Sequence, residues 1–312
     1  MNHSFSRRDF LRNSLGTCAL LTGFPIKKIF GFNPFSEGSK KPDLAVVKGD
    51  AEKAVQKAIE LLGGIKQFVQ PGDRVLIKPN VSFPNPPSWG TTTNPAVVRA
   101  VIKLSLDAGA GRVIVADHTM RDSDICFEKT GFADVLSDFQ NVKWMNLNQE
   151  RFFQSIPVAQ GKAINQIHLA KLVTKCNVLI NIPCAKSHSA TQVSLGLKNL
   201  MGLIWDRSYF HTRTNLHQGL ADLALTIQPH LTILDGTRAL QTGGPTGPGK
   251  VIPLNTIVAG TDPLAVDAYG VSLSPWNNRS LSAQDIQHLA FASQMGVGQI
   301  NLNQLNIQEL EC

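Results

Sequence analysis

No two cysteines in this sequence have the C-x-x-C spacing of a zinc or iron-sulfur site. The five present, Cys18, Cys126, Cys176, Cys184 and Cys312, stand far apart, so no four-cysteine cluster motif exists. In an exported chain the last four allow disulfides, which spacing alone does not pair, or stay as buried thiols. No H-x-x-x-H pair supplies two ligands from one helix face. Beyond the first 40 residues no apolar run is long enough to span a membrane. The formal charge of +7 is also misleading, because seven of the 30 basic residues and only two of the 23 acidic ones lie in the first 41 positions. The remaining body is nearly neutral and gives no electrostatic case for nucleic-acid binding. No internal repeat and no low-complexity linker follows the leader.

The chain does have enough apolar residues, 43% of 312, to bury a large core. It opens with Ser6-Arg7-Arg8-Asp9-Phe10-Leu11-Arg12 and a modestly apolar stretch from Ser14 to Ile26, which resembles a twin-arginine export signal. The expected division is a signal and spacer over residues 1–40 and one α/β domain over 41–312. A periplasmic or otherwise exported location follows, with the twin-arginine translocase as partner during export. That route carries proteins that fold first, often around a cofactor.

From Asp43 onward short β-like runs alternate with helical spacing, the pattern of a mainly parallel sheet flanked by helices. Strands are expected at Asp43–Lys48, Arg74–Ile77, Arg112–Ala116, Val142–Leu147, Val178–Ile180, His230–Leu234 and Thr256–Ala259. Helices are expected at Glu52–Leu62, from Pro95 to about Ala108, Ile125–Phe139, Asn215–Ile227 and Ser282–Met295. Asn94 and Asp262 each precede a proline and read as helix caps. Phe152 to His168 reads as a β-hairpin insertion.

Strand ends are where ligands bind in such sheets. The residues that follow the strands are Lys78 and Asn80, Asp117 and His118, Asn181 with Lys186 and His188, then Asp235 and Asp262. The segment Asn181 to Gly202 is the most polar of these and carries Lys198 and Asn199 on a following helical stretch. Two lysines at one strand end suit a phosphate or carboxylate, and a desolvated lysine could act instead as a base. His188 could carry a proton or a metal. Metal candidates are His188, His211 and His217, with Cys184 and Asp117 as further donors that only a fold could gather. Bland readings stand beside these: Asn80 and Asn181 as turn residues, Asp262 as a cap, His217 and Asp222 as ordinary helix positions. The glycines and prolines between Gly243 and Gly249 read as loop punctuation, since no helix follows at once.

Seven ordered motifs resemble the domain of unknown function 362 family. They are Lys78-Pro79-Asn80, Thr92-Thr93-Asn94-Pro95, Val113 to Asp117, Asn181-Ile182-Pro183 with Lys186 and His188, Leu197 to Gly202, Leu231 to Gly236, and Ala259 to Asp267. The resemblance spans about Asp43 to Ser274 and implies no particular activity. Some relatives carry a ferredoxin-like segment with two four-cysteine motifs, which this chain lacks. The family usually has a small residue after the aspartate at position 117, where this chain has His118.

The leading expectation is an exported enzyme acting on a small anionic molecule. Lys186, His188 and Asp117 would be catalytic, and Lys78, Asn80, Asn181, Lys198, Asn199, Asp235 and Asp262 would bind ligand. The alternatives are a binding protein without catalysis and a metal- or cofactor-loaded, redox-linked protein.

Overall fold

The structure, a computed structural model, describes residues 41–312. The twin-arginine stretch lies outside the described residues. The central strands form where apolar runs such as residues 75–77, 113–116 and 178–180 allow both sheet faces to be covered. They are β1 (Leu44–Lys48), β2 (Arg74–Pro79), β3 (Arg112–Asp117), β4 (Val142–Asn146), β5 (Phe153–Pro157), β6 (Gln166–Ala170), β7 (Val178–Ile182), β8 (Cys184–His188), β9 (Gln192–Ser194), β10 (Leu231–Leu240), β11 (Val251–Gly260) and β12 (Ile307–Glu311). The helices are α1 (Ala51–Leu61), α2 (Pro95–Asp107), α3 (Ser123–Lys129), α4 (Phe132–Ser137), α5 (Lys171–Lys175), α6 (Gly196–Asn199), α7 (Arg207–Thr212), α8 (Leu216–Thr226), α9 (Pro263–Ser272) and α10 (Gln287–Gln294).

The main sheet has the order β12-β1-β11-β10-β7-β2-β3-β4, with β8 attached to β10 and β9 to β8. All its strands run the same way except β11 and β9. Alternate residues of β2 divide between the faces: Val75 and Ile77 pack with α1 and α2, while Leu76 joins the core on the other side. The expected hairpin insertion is present as the antiparallel pair β5 and β6.

Four local expectations change, one being that the helix expected over Ser282–Met295 is a 3-10 helix at Ala283–Asp285 and then α10, separated by Ile286 in an extended conformation. The helix expected over Ile125–Phe139 is two helices, because Gly131 at φ 77° breaks it into α3 and α4. The strand expected to stop before Asp235 runs on to Leu240, with a bulge between Gly236 and Arg238. Lys186 and His188 lie on strand β8 rather than in a loop, held by pairing with β9 and β10.

Candidate functional site

Lys78 and Asp117 end adjacent parallel strands, β2 and β3, so their side chains meet. Lys78 Nζ lies 2.9 Å from Asp117 Oδ1, and both side chains are only 1% exposed. Asp117 Oδ2 accepts from the Val81 amide at 2.7 Å. Lys78 Nζ also donates to Pro79 O at 2.5 Å and to Asn199 Oδ1 at 3.3 Å. Burial lowers the Lys78 pKa, and Asp117 opposes that shift.

Asn199, at the end of α6, ties these strand ends together. Its Nδ2 donates to Lys78 O at 3.1 Å and to Asn181 Oδ1 at 2.9 Å, while its Oδ1 accepts from Lys78 Nζ and from Asn80 Nδ2. The turn that follows must pass close to the ion pair. A Cβ on Gly202 would overlap Asp117 Oδ1 and lie 2.7 Å from Lys78 Nζ, so only glycine fits. The start of α6 is fixed by buried Asp267 of α9, which accepts from Gly196 N at 2.6 Å and Leu197 N at 2.8 Å. Burial raises the Asp267 carboxyl pKa to about 7 against the pull of those two bonds.

A cavity of about 680 Å³ opens over this network, with Lys186, His188, Lys198, Arg207 and His118 among its walls. Lys186 is 2% exposed. Its Nζ donates to Thr91 O at 2.6 Å and Asn80 Oδ1 at 3.2 Å, and it stands 5.2 Å from the centre of the Phe83 ring. Lys198 is different. It is half-buried, and among the described residues its polar neighbour is a thioether, Met201 Sδ at 3.0 Å. Burial first, then the charges of Lys186 and Arg207, lower the Lys198 pKa to about 7. Arg207 begins α7 and donates to the carbonyls of His118 at 2.6 Å and Thr119 at 3.0 Å. Among the described residues none of Lys186, Lys198 and Arg207 pairs with a carboxylate.

Three histidines line the cavity, and two of them, His188 and His118, have opposite hydrogen-bonding roles. His188 Nδ1 accepts from the amides of Ala190 at 3.1 Å and Thr191 at 3.3 Å. The neutral ring therefore carries its proton on Nε2 and is a donor. Desolvation, then Lys198 and Lys186, depress its pKa to about 2, so it stays neutral. His118 faces the carbonyl of Ile204, 3.1 Å from Nδ1, which makes Nδ1 the donor and leaves Nε2 unprotonated. Its ring stacks on Trp205 at 5.3 Å and 4°, and burial lowers its pKa.

Of the expected site residues, Lys78, Asn80, Asp117, Lys186, His188, Lys198 and Asn199 are brought to this cavity, and His211 reaches its rim. Asn181 lies beneath it, bonded to Asn199 and Gly196. Asp235 is spent on the backbone, accepting from Asn94 N at 2.6 Å and from Thr237. Asp262 is at the opposite edge of the sheet, because β11 runs against β10. There it caps α9, accepting from Leu264 N and Ala265 N, and it also holds Gln299 N. His217 lies on α8 with its ring 6.0 Å from that of His288, outside the cavity wall. Among the described residues, no three His, Cys, Asp or Glu side chains are gathered as a metal-ligand group. The four cysteines among the described residues are free thiols. Sequence reasoning missed Arg207, Trp205 and the bonding role of His118. The one sequence signal for Trp205 and Arg207 was proximity to Gly202, the end of the densest polar segment, whereas His118 was visible as a strand-end residue.

The chain is therefore a mixed α/β protein whose parallel strands deliver a cationic cavity at their carboxyl ends. A family model described as "Domain of unknown function (DUF362)" matches residues 75–272, from β2 through α9, and the chain belongs to that family. It is 30% identical over 226 residues to the thylakoid-associated protein sll1697 of Synechocystis sp., covering 70% of this chain and 68% of that one. Among solved structures it is similar to the lactate racemase apoprotein of Thermoanaerobacterium thermosaccharolyticum, at TM-score 0.46 and 14% identity over 73% of this chain. It is also similar to a Thermotoga maritima protein, at TM-score 0.40 and 12% identity over 66% of this chain. It covers just over half of those two chains, 56% and 54%, and nothing about activity follows from likenesses of this size. No helix among the described residues is long and apolar enough to cross a membrane.

Proposed function

We propose that the cavity binds a small organic anion, a carboxylate or phosphate, and performs proton chemistry on it. The observation that carries this reading is three basic side chains, Lys186, Lys198 and Arg207, around one cavity whose buried carboxylate, Asp117, is already committed to Lys78 and whose other carboxylate, Asp206, is exposed and accepts from Ser208 Oγ and Tyr209 N. Basic groups in excess of carboxylates around a partly enclosed cavity favour a negative guest. The two histidines suit the chemistry: His118 Nε2 can accept a proton, and His188 Nε2–H can donate to an oxygen that gains negative charge. Lys186, whose pKa burial lowers, has its hydrogens directed at Thr91 and Asn80 and acts here as a fixed donor. The metal-loaded alternative draws less support, since the neutral His188 ring carries its proton on Nε2 and no three His, Cys, Asp or Glu side chains are gathered among the described residues.

Inorganic phosphate, propionate and malonate at low ionic strength should raise the melting temperature, and Arg207→Ala should abolish the shift. No shift with any of the three would sink the reading. A pH dependence follows from Lys198. In the free protein it is mostly neutral above about pH 7, and a bound anion raises its pKa. Binding at pH 8 then takes up a proton, and affinity should fall by up to about tenfold per pH unit as pH rises from 7. Calorimetry in two buffers of different ionisation enthalpy reads that uptake directly. Binding without proton uptake would show that Lys198 does not face the anion.

We further infer that residues 1–40 direct export by the twin-arginine route, a reading supported by Arg7-Arg8 and the Phe10-Leu11 that follows. Cell fractionation should find the chain outside the cytoplasm. The Arg7→Lys/Arg8→Lys double variant should stay inside, and unchanged export of that variant would refute the assignment.

A further inference from the structure

Three lysines reach the cavity, and two of them have their N–H groups directed at oxygen. Lys78 has Asp117, Pro79 O and Asn199 Oδ1, and Lys186 has Thr91 O and Asn80 Oδ1. Among the described residues Lys198 has only the Met201 sulfur, a weak acceptor that does little to hold a proton on an ammonium. It stands beside two other cations, whose repulsion favours the neutral amine. The same cavity holds a fixed N–H donor at His188 Nε2, a guanidinium at Arg207 and a proton acceptor at His118 Nε2. A free amine, an oxygen-directed N–H and a carboxylate-binding fork are the groups that a carbonyl compound bearing a carboxylate would engage.

We propose that Lys198 condenses with the carbonyl carbon of a small 2-oxo acid to form an imine, with Arg207 receiving the carboxylate. This rests on the anion-site reading above. With the carboxylate held by Arg207, the unprotonated fraction of Lys198 reacts: its Nζ lone pair attacks the carbonyl carbon, a C–N bond forms, and the C=O π pair moves to oxygen, which His188 Nε2–H steadies by hydrogen bonding. Nitrogen gives up its two protons as the oxygen leaves, so amine plus carbonyl becomes imine plus one water, with no oxidant or reductant consumed. The imine withdraws electrons from the adjacent carbon, which makes a proton there removable, and His118 Nε2 is the base available to take it.

The test uses the purified full chain, pyruvate as the probe and cyanoborohydride to trap any imine. Intact mass should rise by the mass of pyruvate less one oxygen atom. Peptide mapping should place the adduct on Lys198, and propionate, which has no carbonyl, should compete it away. Lys198→Arg should lose the adduct. No adduct, or one on Lys78, Lys186 or surface lysines in preference to Lys198, overturns the proposal. The melting shift with propionate is read separately on the same wild-type protein. If that shift is present and trapping fails, the imine is wrong and the anion site stands; if both are absent, the anion reading has failed first.

Discussion

Asp117→Ala is expected to cost about 3–5 kcal/mol of folding stability in urea denaturation, because it strands the Lys78 ammonium in a site that is 1% exposed. The loss also removes the acceptor of the Val81 amide. The cost should depend on pH in a defined sense. Without Asp117 the Lys78 pKa in the folded state falls further below its ordinary value, so the unfolded chain binds more protons than the folded one. Stability of the variant therefore rises with pH, and the deficit narrows as pH climbs toward the ordinary lysine range. Replacing both partners, as in Lys78→Met/Asp117→Leu, should recover most of the loss, since no buried charge is then left alone. A deficit under about 1 kcal/mol for the single variant would mean that the pair carries little of the fold.

Asn199→Ala should be nearly as damaging, at about 3 kcal/mol, although it removes no charge. Four hydrogen bonds end on this one amide, and its loss leaves Lys78 Nζ, Lys78 O, Asn80 Nδ2 and Asn181 Oδ1 each short of a partner in the interior. The effect should reach the cavity as well. Asn80 Oδ1 accepts from Lys186 Nζ, so a loosened Asn80 frees that ammonium from its fixed position. Phosphate or propionate affinity should fall together with stability in the same protein. Full binding in a protein destabilised by that amount would separate the amide hub from the site and limit its role to the fold.

Much of the architecture was legible before any coordinates. Continuous apolar runs mark strands covered on both faces, and Asn94-Pro95 and Asp262-Pro263 mark helix starts, which the structure shows as caps accepting from Ala96 N and from Leu264 N and Ala265 N. The hairpin of β5 and β6 was visible in the same way. Gly131 was a break that apolar spacing hid, because a single left-handed residue divides a helix without disturbing the periodicity on either side. The site was legible as a set of polar residues at strand ends, and most of that set does meet at one cavity. Asp235 and Asp262 satisfied the same rule on paper, yet one holds backbone amides and the other faces the far edge.

What the sequence determined by itself is which residues end strands, which start helices, and that lysine, histidine and asparagine collect around Asn181 to Gly202. Such features depend on neighbours a few positions away. Tertiary structure alone decided that β11 runs backwards and takes Asp262 out of the site, that Asp117 belongs to Lys78, and that His118 and His188 carry their protons on different nitrogens. It also decided that Lys198, among the described residues, meets a sulfur where Lys78 and Lys186 meet oxygens. Those outcomes rest on hydrogen bonds between residues far apart in the chain, such as Lys78 with Asn199 across 121 positions. No local pattern encodes which of several equivalent polar groups will be brought within 3 Å of one another, because burial selects the partners only when the strands and helices close over them.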